Sequence, residues 1–284
     1  MKFLVGFAIV VILVASAAFA QNRTNFGSLE RIFAPKSNLW SRWEAHDPAS
    51  TQRVDHSDWS RFLGKYRSEN SLGQARVNYA GVTSADRSGL DAYLASLAAT
   101  DVDGLNRNEQ LSFWINAYNA ITVKTVLDNF PVESIRDIPG ARRLSPGPWD
   151  VPAITISGVN LTLNDIEHRV LRPIWQDPRL HYVLNCAAVG CPNLGAEAFP
   201  STAIDATFDA AARRYVNDPR GVTFNGNNIS VSRIYDWFIS DFGGRESGVI
   251  RHILVYAEPD LANRITAIGR LGGQHYDWSL NMLE

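Results

Sequence analysis

Apolar and polar positions follow several distinct periods along this chain, and each period predicts an element. From Val54 to Tyr66 the apolar residues 59, 62, 63 and 66 have helical spacing. Ser84 stands where it can cap a helix through Thr100, with Leu90, Tyr93, Leu94 and Leu97 on one face. The run L-S-F-W-I-N-A-Y-N-A-I-T-V-K-T-V-L then makes nearly every face apolar, so a helix from Asn106 to Asn129 is expected to be central and buried. Asn106-x-x-Glu109 resembles a capping box at its start, and Asn129-Phe130-Pro131 stops it. Residues 21–50 show no clean period and suggest a loosely ordered arm.

The second half reads as shorter pieces. Ile138 to Pro152 is rich in proline and glycine, an extended loop with Arg142 and Arg143 exposed. Ile154 to Leu163 alternates around Gly158 as a hairpin does. Asn164-x-x-Glu167 forms a second capping-box pattern before a helix from Asp165 to Trp175. Pro178 to Asn185 is expected as a strand that leads into the small-residue loop C-A-A-V-G-C-P-N-L-G. Ser201 to Asn217 is a helix with Phe208, Ala211, Ala212 and Tyr215 inward, and Val222 to Val231 a hairpin around Asn225-Gly226. Short helices are expected over Tyr235 to Phe242 and Val249 to Ile268, with Y-D-W-S-L-N as a last strand.

Before all of these, Lys2 precedes an apolar stretch from Phe3 to Ala15, and Ala18-Phe19-Ala20 precedes Gln21. This is the pattern of a secretory signal cleaved after Ala20, with an uncleaved membrane anchor as the alternative. No later stretch approaches the length of a spanning helix, so no membrane span is expected after cleavage. The balance of 27 Lys+Arg against 29 Asp+Glu argues against a nucleic-acid partner, which a basic excess would favour. The domain plan is therefore a signal over 1–20, an arm over 21–50 and one globular domain over 51–284, with a periplasmic or secreted location.

The candidate chemistry lies in three places. In the central helix Glu109, Ser112, Asn116 and Asn119 form one polar stripe. It either ties loops to the core or lines a cleft, for a buried amide without partners costs roughly 1–3 kcal/mol. Cys186 and Cys191 are the two cysteines of the chain, and an oxidising compartment permits their pairing. Three readings of the pair stay open: a disulfide, a nucleophile at Cys186, or a thiolate ligand for a metal. Among possible bases, strand parity over Pro178 to Cys186 turns His181 and Asn185 away from Cys186. His168 stands in the first turn of its helix, where the dipole favours the neutral form that a base needs. Glu167 adjoins it at an angle that does not suit orienting it directly. The other histidines, His46, His56, His252 and His275, have no motif around them.

The pieces E-Q-L-S-F-W-I-N-A-Y-N-A (109–120), L-N-D-I-E-H-R-V-L-R (163–172), P-R-L-H-Y-V-L-N-C-A-A-V-G-C-P-N-L (178–194), Y-D-W-F-I-S-D-F (235–242) and Y-D-W-S-L-N (276–281) together resemble the proteins carrying domain of unknown function 547, common among bacterial exported proteins. The resemblance extends from Asp55 to the end. It implies a mixed α+β domain and, from a proposal made for relatives, a thiol hydrolase acting on peptide or amide bonds. Carried over residue by residue, it implies Cys186, His168 and Glu167 as catalytic candidates, with Glu109, Asn116, Asn119, Asn185 and Cys191 around them. In relatives the position of Cys191 is often a small polar residue, which favours Cys186 as the functional thiol.

The expected fold is thus one mixed α+β domain, a central buried helix packed on a small, mostly antiparallel sheet with hairpins, distantly thiol-hydrolase-like. The leading function is a cysteine-dependent hydrolase or acyl-transferase without a cofactor, acting on a small-molecule or peptide substrate. Loop N–H groups would hold its oxyanion. The alternatives are a non-catalytic envelope binding module stapled by a Cys186–Cys191 disulfide, and a metal-binding protein.

Overall fold

The structure is a computed structural model describing residues 27–28, 30–141 and 147–283. The expected signal segment, Arg142 and Arg143 lie outside those residues. Helices α1 (Glu30–Phe33), α2 (Ser57–Tyr66), α3 (Ser84–Ala98) and α4 (Arg107–Asn129) fill the first half, with the hairpin β1 (Arg67–Glu69) and β2 (Ala75–Val77) between α2 and α3. The hairpin β3 (Ile154–Ile156) and β4 (Val159–Leu161) then precedes a continuous helix α5 over residues 163–175. Next come α6 (Ile204–Val216), β5 (Val222–Asn225), β6 (Asn228–Ser232), α7 (Ile234–Trp237), α8 (Glu246–Tyr256), α9 (Pro259–Ile268) and β7 (Leu271–His275).

The protein is α+β, and among the described residues its strands form two two-stranded hairpins and one three-stranded sheet ordered β5-β6-β7. β5 pairs antiparallel with β6, and β7 lies parallel to β6. Two apolar cores result. The larger surrounds α4, where residues 109–123 are all buried. Trp114 sits at its centre, edge-on to Trp43 at 5.1 Å and to Phe113 at 5.0 Å. The smaller joins the three-stranded sheet to α6, α7, α8 and α9 through Tyr215, Ile229, Val231, Tyr235 and Ile253.

Several local expectations change for identifiable reasons. Thr83, not Ser84, caps α3, its hydroxyl accepting from the Asp86 N–H. Asn106 does cap α4 by accepting from the Glu109 N–H, but the Glu109 carboxylate takes the Val54 N–H at 2.7 Å instead of closing a box. The reciprocal box of α5 is Thr162 with Asp165, two residues earlier than expected, which frees Glu167 from any capping role. Pro178 to Asn185 is not a strand. Asp177 caps and Pro178 opens a 3-10 turn to Tyr182, the ordinary use of aspartate and proline at a helix start. The stretch 249–268 is two helices, α8 and α9, with Pro259 opening the second. The expected last strand reduces to a bridge between Leu280 and Ala188, while residues 271–275 form β7 instead. Helix α7 ends at Trp237, short of Phe242. Nor is the arm loose: Trp43 is 1% exposed in the larger core.

Proline explains the unusual middle of α5. Pro173 has no N–H to give the Arg169 carbonyl, and its ring would clash there in a regular helix. Residues Ile166–Leu171 accordingly adopt a π-helical register, with the Arg172 N–H reaching back five residues to the Glu167 carbonyl. The His168 and Arg169 carbonyls are left over. The arm takes both, through Asn38 N–H at 2.9 Å and Trp40 N–H at 3.0 Å.

Candidate functional site: a buried acid–base cluster beside a disulfide

The widened turn of α5 turns Glu167 and His168 inward, where both are buried. Arg172, one turn further on, donates from Nη1 to His168 Nδ1 at 3.0 Å. The same guanidinium grips Asp241 with two bonds, Nε to Oδ2 at 2.7 Å and Nη2 to Oδ1 at 3.0 Å. His181 completes the group: its Nε2 donates to Asp241 Oδ2 at 2.8 Å, and its ring stacks on Phe238 at 4.4 Å. Strand parity had turned His181 away. The 3-10 turn places it inside the cluster instead, with Nδ1 3.8 Å from Glu167 Oε1. Glu167 Oε1 also lies 3.8 Å from His168 Nδ1, too far for a hydrogen bond, as their angle on the helix suggested.

Burial and charge set the protonation of these groups. Loss of water pushes His168 down to about 4, aided by Arg172 and His181 and opposed by Glu167. The helix dipole is therefore not the main cause. Burial works against ionisation of Asp241, but the bonds from His181 and Arg172 outweigh it and hold the carboxyl below the usual carboxylate range. Burial raises the Tyr118 phenol well above its ordinary value, and the neighbouring Glu167 carboxylate adds to the rise. Tyr276 is raised in the same way, by enclosure first, then by Tyr215 and Glu167.

Tyr276 stands against the cysteines. Cys186 and Cys191 are joined in a disulfide, with Cα atoms 6.2 Å apart. The Tyr276 hydroxyl lies 3.1 Å from each sulfur. The Cys186 N–H points at Cys191 Sγ at 3.0 Å. Cys186 is half-buried and Cys191 only 2% exposed. Ala187, next to the first cysteine, is held at φ 60, a left-handed conformation that costs a non-glycine residue energy. Gly190 is required on the other side, since a Cβ there would come within 2.8 Å of the Asp277 nitrogen. Trp237 and Trp278 flank Tyr276 at 4.8 and 4.7 Å.

The sequence candidates separate into three groups. Glu167 lies 3.8 Å from His168, and its charge adds to the rise of the Tyr276 phenol. Cys186 and His168 do not engage each other: the first is bonded to Cys191, and the second accepts from Arg172. The polar stripe ties loops to the core. Asn116 holds both the N–H and the carbonyl of Phe199, at 2.8 and 2.9 Å, while Ser112 donates to that carbonyl. Asn119 donates to the Val183 carbonyl and accepts from the Asn185 N–H, both at 2.9 Å. The Asn185 side chain accepts from Ala187 and donates to the Pro192 carbonyl, bracing the disulfide loop from within. Glu109 anchors Val54.

Nor is the loop an open nest of donors. The N–H groups of Ala187, Val189, Gly190 and Cys191 are bonded to Asn185, Ser279, Asp277 and Ala188. Among the described residues no three His, Cys, Asp or Glu side chains are grouped to hold a metal, and no helix is long and apolar enough to cross a membrane. Sequence reasoning missed Arg172, Asp241 and Tyr276. The only local signal was an arginine one turn after His168; the other two come from distant segments.

Fold and site together define a mixed α+β protein with a buried acid–base cluster set against a disulfide loop. Residues 102–216 match a family described as protein of unknown function, DUF547. The matched span runs from the start of α4 to the end of α6 and holds Glu167, His168, Arg172, His181 and both cysteines, leaving Asp241 and Tyr276 outside it. No curated protein matches the chain, and no solved structure does.

Proposed function

We propose that this is an exported protein whose function is thiol–disulfide exchange at the Cys186–Cys191 pair. The contact of Tyr276 with both sulfurs carries this reading. Exchange needs an attackable sulfur and a stabilised leaving thiolate, and no oxyanion hole. Cys186 Sγ is the more accessible sulfur. A thiolate from a dithiol donor attacks it, the Cys186–Cys191 bond breaks, and the electron pair leaves on Cys191 Sγ. There the Cys186 N–H and the Tyr276 hydroxyl stabilise the charge. The donor's second thiol then displaces Cys186, so the donor departs as a disulfide and the pair receives two electrons and two protons.

The second reading is hydrolysis or acyl transfer by the reduced Cys186. The Tyr276 hydroxyl favours this, since it lies beside the Cys186 sulfur, whereas His168 is held by Arg172. It also needs oxyanion donors, and most N–H groups of the loop are already spent.

Brief treatment of the exported protein with glutathione, followed by iodoacetamide and mass mapping, tests the proposal. Glutathione is expected on Cys186 and alkyl on Cys191, with Tyr276→Phe slowing the step about tenfold, the weight of one good hydrogen bond to a charge. A pair inert to millimolar glutathione in the folded protein would make the disulfide a permanent staple and the protein a binding module. Turnover of an amide only after reduction would favour the second reading.

A further inference from the structure

Away from the cysteines, the starts of α4 and α6 face each other across a cleft of about 830 Å³, the size of a small-ligand site. Leu111, Trp175, Ile204 and Phe208 give it an apolar lining. Both arginines and aspartates line it.

Arg107 is one of the arginines. Two of its five N–H donors are used, Nη1 on Gln110 Oε1 at 2.7 Å and Nη2 on the Glu44 carbonyl at 2.5 Å. Both acceptors are neutral. Among the described residues no carboxylate lies within ion-pair distance of it; Glu44 acts on its charge from further off, and the guanidinium lies 5.9 Å from the Trp175 ring. Arg53 also lines the cleft, 3.5 Å from Glu109 Oε2.

Asp177 and Asp205 line the cleft as well. Together with Asp209 they crowd a single guanidinium, Arg179, at 2.7, 2.7 and 2.8 Å. Three carboxylates on one cation leave an excess of negative charge. Asp205 carries much of it outward, its side chain being 86% exposed. The arginines attract an anion and the aspartates a cation, and aromatic and aliphatic side chains line the same cleft.

We propose that this cleft binds a short zwitterionic peptide, its C-terminal carboxylate on Arg107 and its terminal ammonium at Asp177 and Asp205, with an apolar side chain against Trp175 and Leu111. Guanidinium–carboxylate pairing supplies the orientation, and the walls supply the apolar contact. The inference is independent of the chemistry at the disulfide.

Calorimetric titration of the whole exported protein with Ala-Phe-Ala, its N-acetyl form and its C-terminal amide tests it. The free tripeptide is expected to bind, and each cap to weaken it about tenfold, the loss of roughly one charged contact. Arg107→Met should erase only the penalty of the amide, and Asp205→Asn should shrink only that of the acetyl group. Because each variant is compared with itself across the three peptides, a general loss of fold cannot imitate this pattern. Equal affinity for all three forms, no binding up to about 10 mM, or penalties that persist unchanged in both variants would each overturn the proposal.

Discussion

Arg172 donates from Nη1 to Nδ1 of His168 at 3.0 Å, from one turn further along the same helix. A guanidinium has no acceptor, so this imidazole nitrogen must be the unprotonated one. The bond thus fixes the tautomer of His168 and opposes its protonation. Arg172 holds Asp241 at the same time, which couples the neutral histidine to a buried ion pair.

This arrangement makes stability depend on pH. His168 is held down to about 4 from an ordinary value of 6.5, burial being the largest cause. Between those values the unfolded chain binds the extra proton, so stability rises with pH across that window. The contribution of His168, on the order of 3 kcal/mol, is complete above the upper value and lost as pH falls to the lower one. His56 and His252 are also lowered to about 4, chiefly by burial, and add slopes of the same sign. Urea midpoints between neutral pH and mild acid should fall steeply in the natural protein and less steeply in His168→Gln. An unchanged slope in that variant would mean that His168 is not the buried neutral group described.

Asn116 offers a test of the polar stripe. Its amide satisfies both the N–H and the carbonyl of Phe199, a residue itself buried. Asn116→Ala should cost about 2–4 kcal/mol, because two buried backbone groups lose a partner. The exposed Asn108→Ala, in the same helix, should stay within about 0.5 kcal/mol. Denaturant unfolding of the two variants compares them directly, and equal losses would mean that the stripe does not hold that loop.

The export reading predicts a mature chain beginning at Gln21. Intact mass of the secreted or periplasmic protein measures it. Retention of Met1 to Ala20 would make the segment an anchor.

The sequence by itself determined the elements whose signal is local. Helix α4 was legible because its apolar pattern and its Asn106 cap depend on neighbours within a few residues. The hairpins at Gly158 and Asn225-Gly226 followed from turn residues with alternating flanks, and the faces of α2 and α3 from simple spacing. Two misreadings were local as well. Thr162-x-x-Asp165 and Asp177-Pro178 are helix-start signals, but the nearby Asn164-x-x-Glu167 pattern and the apolar run after His181 competed with them.

Only the tertiary structure decided the site. Pro173 could be seen to disturb α5, yet the resulting turn persists because the arm returns to take the two freed carbonyls. The partner of Arg172 lies 69 residues away at Asp241, and Tyr276 lies 90 residues from Cys186. Periodicity and capping reach across one or two turns of chain. A buried charge takes its partner from whatever segment the packed core brings beside it, which no local pattern encodes. The glutamate–histidine pair on one helix and the cysteine loop were therefore legible as candidates, while the contact of Tyr276 with both sulfurs and the grip of Arg172 on His168 came from the fold.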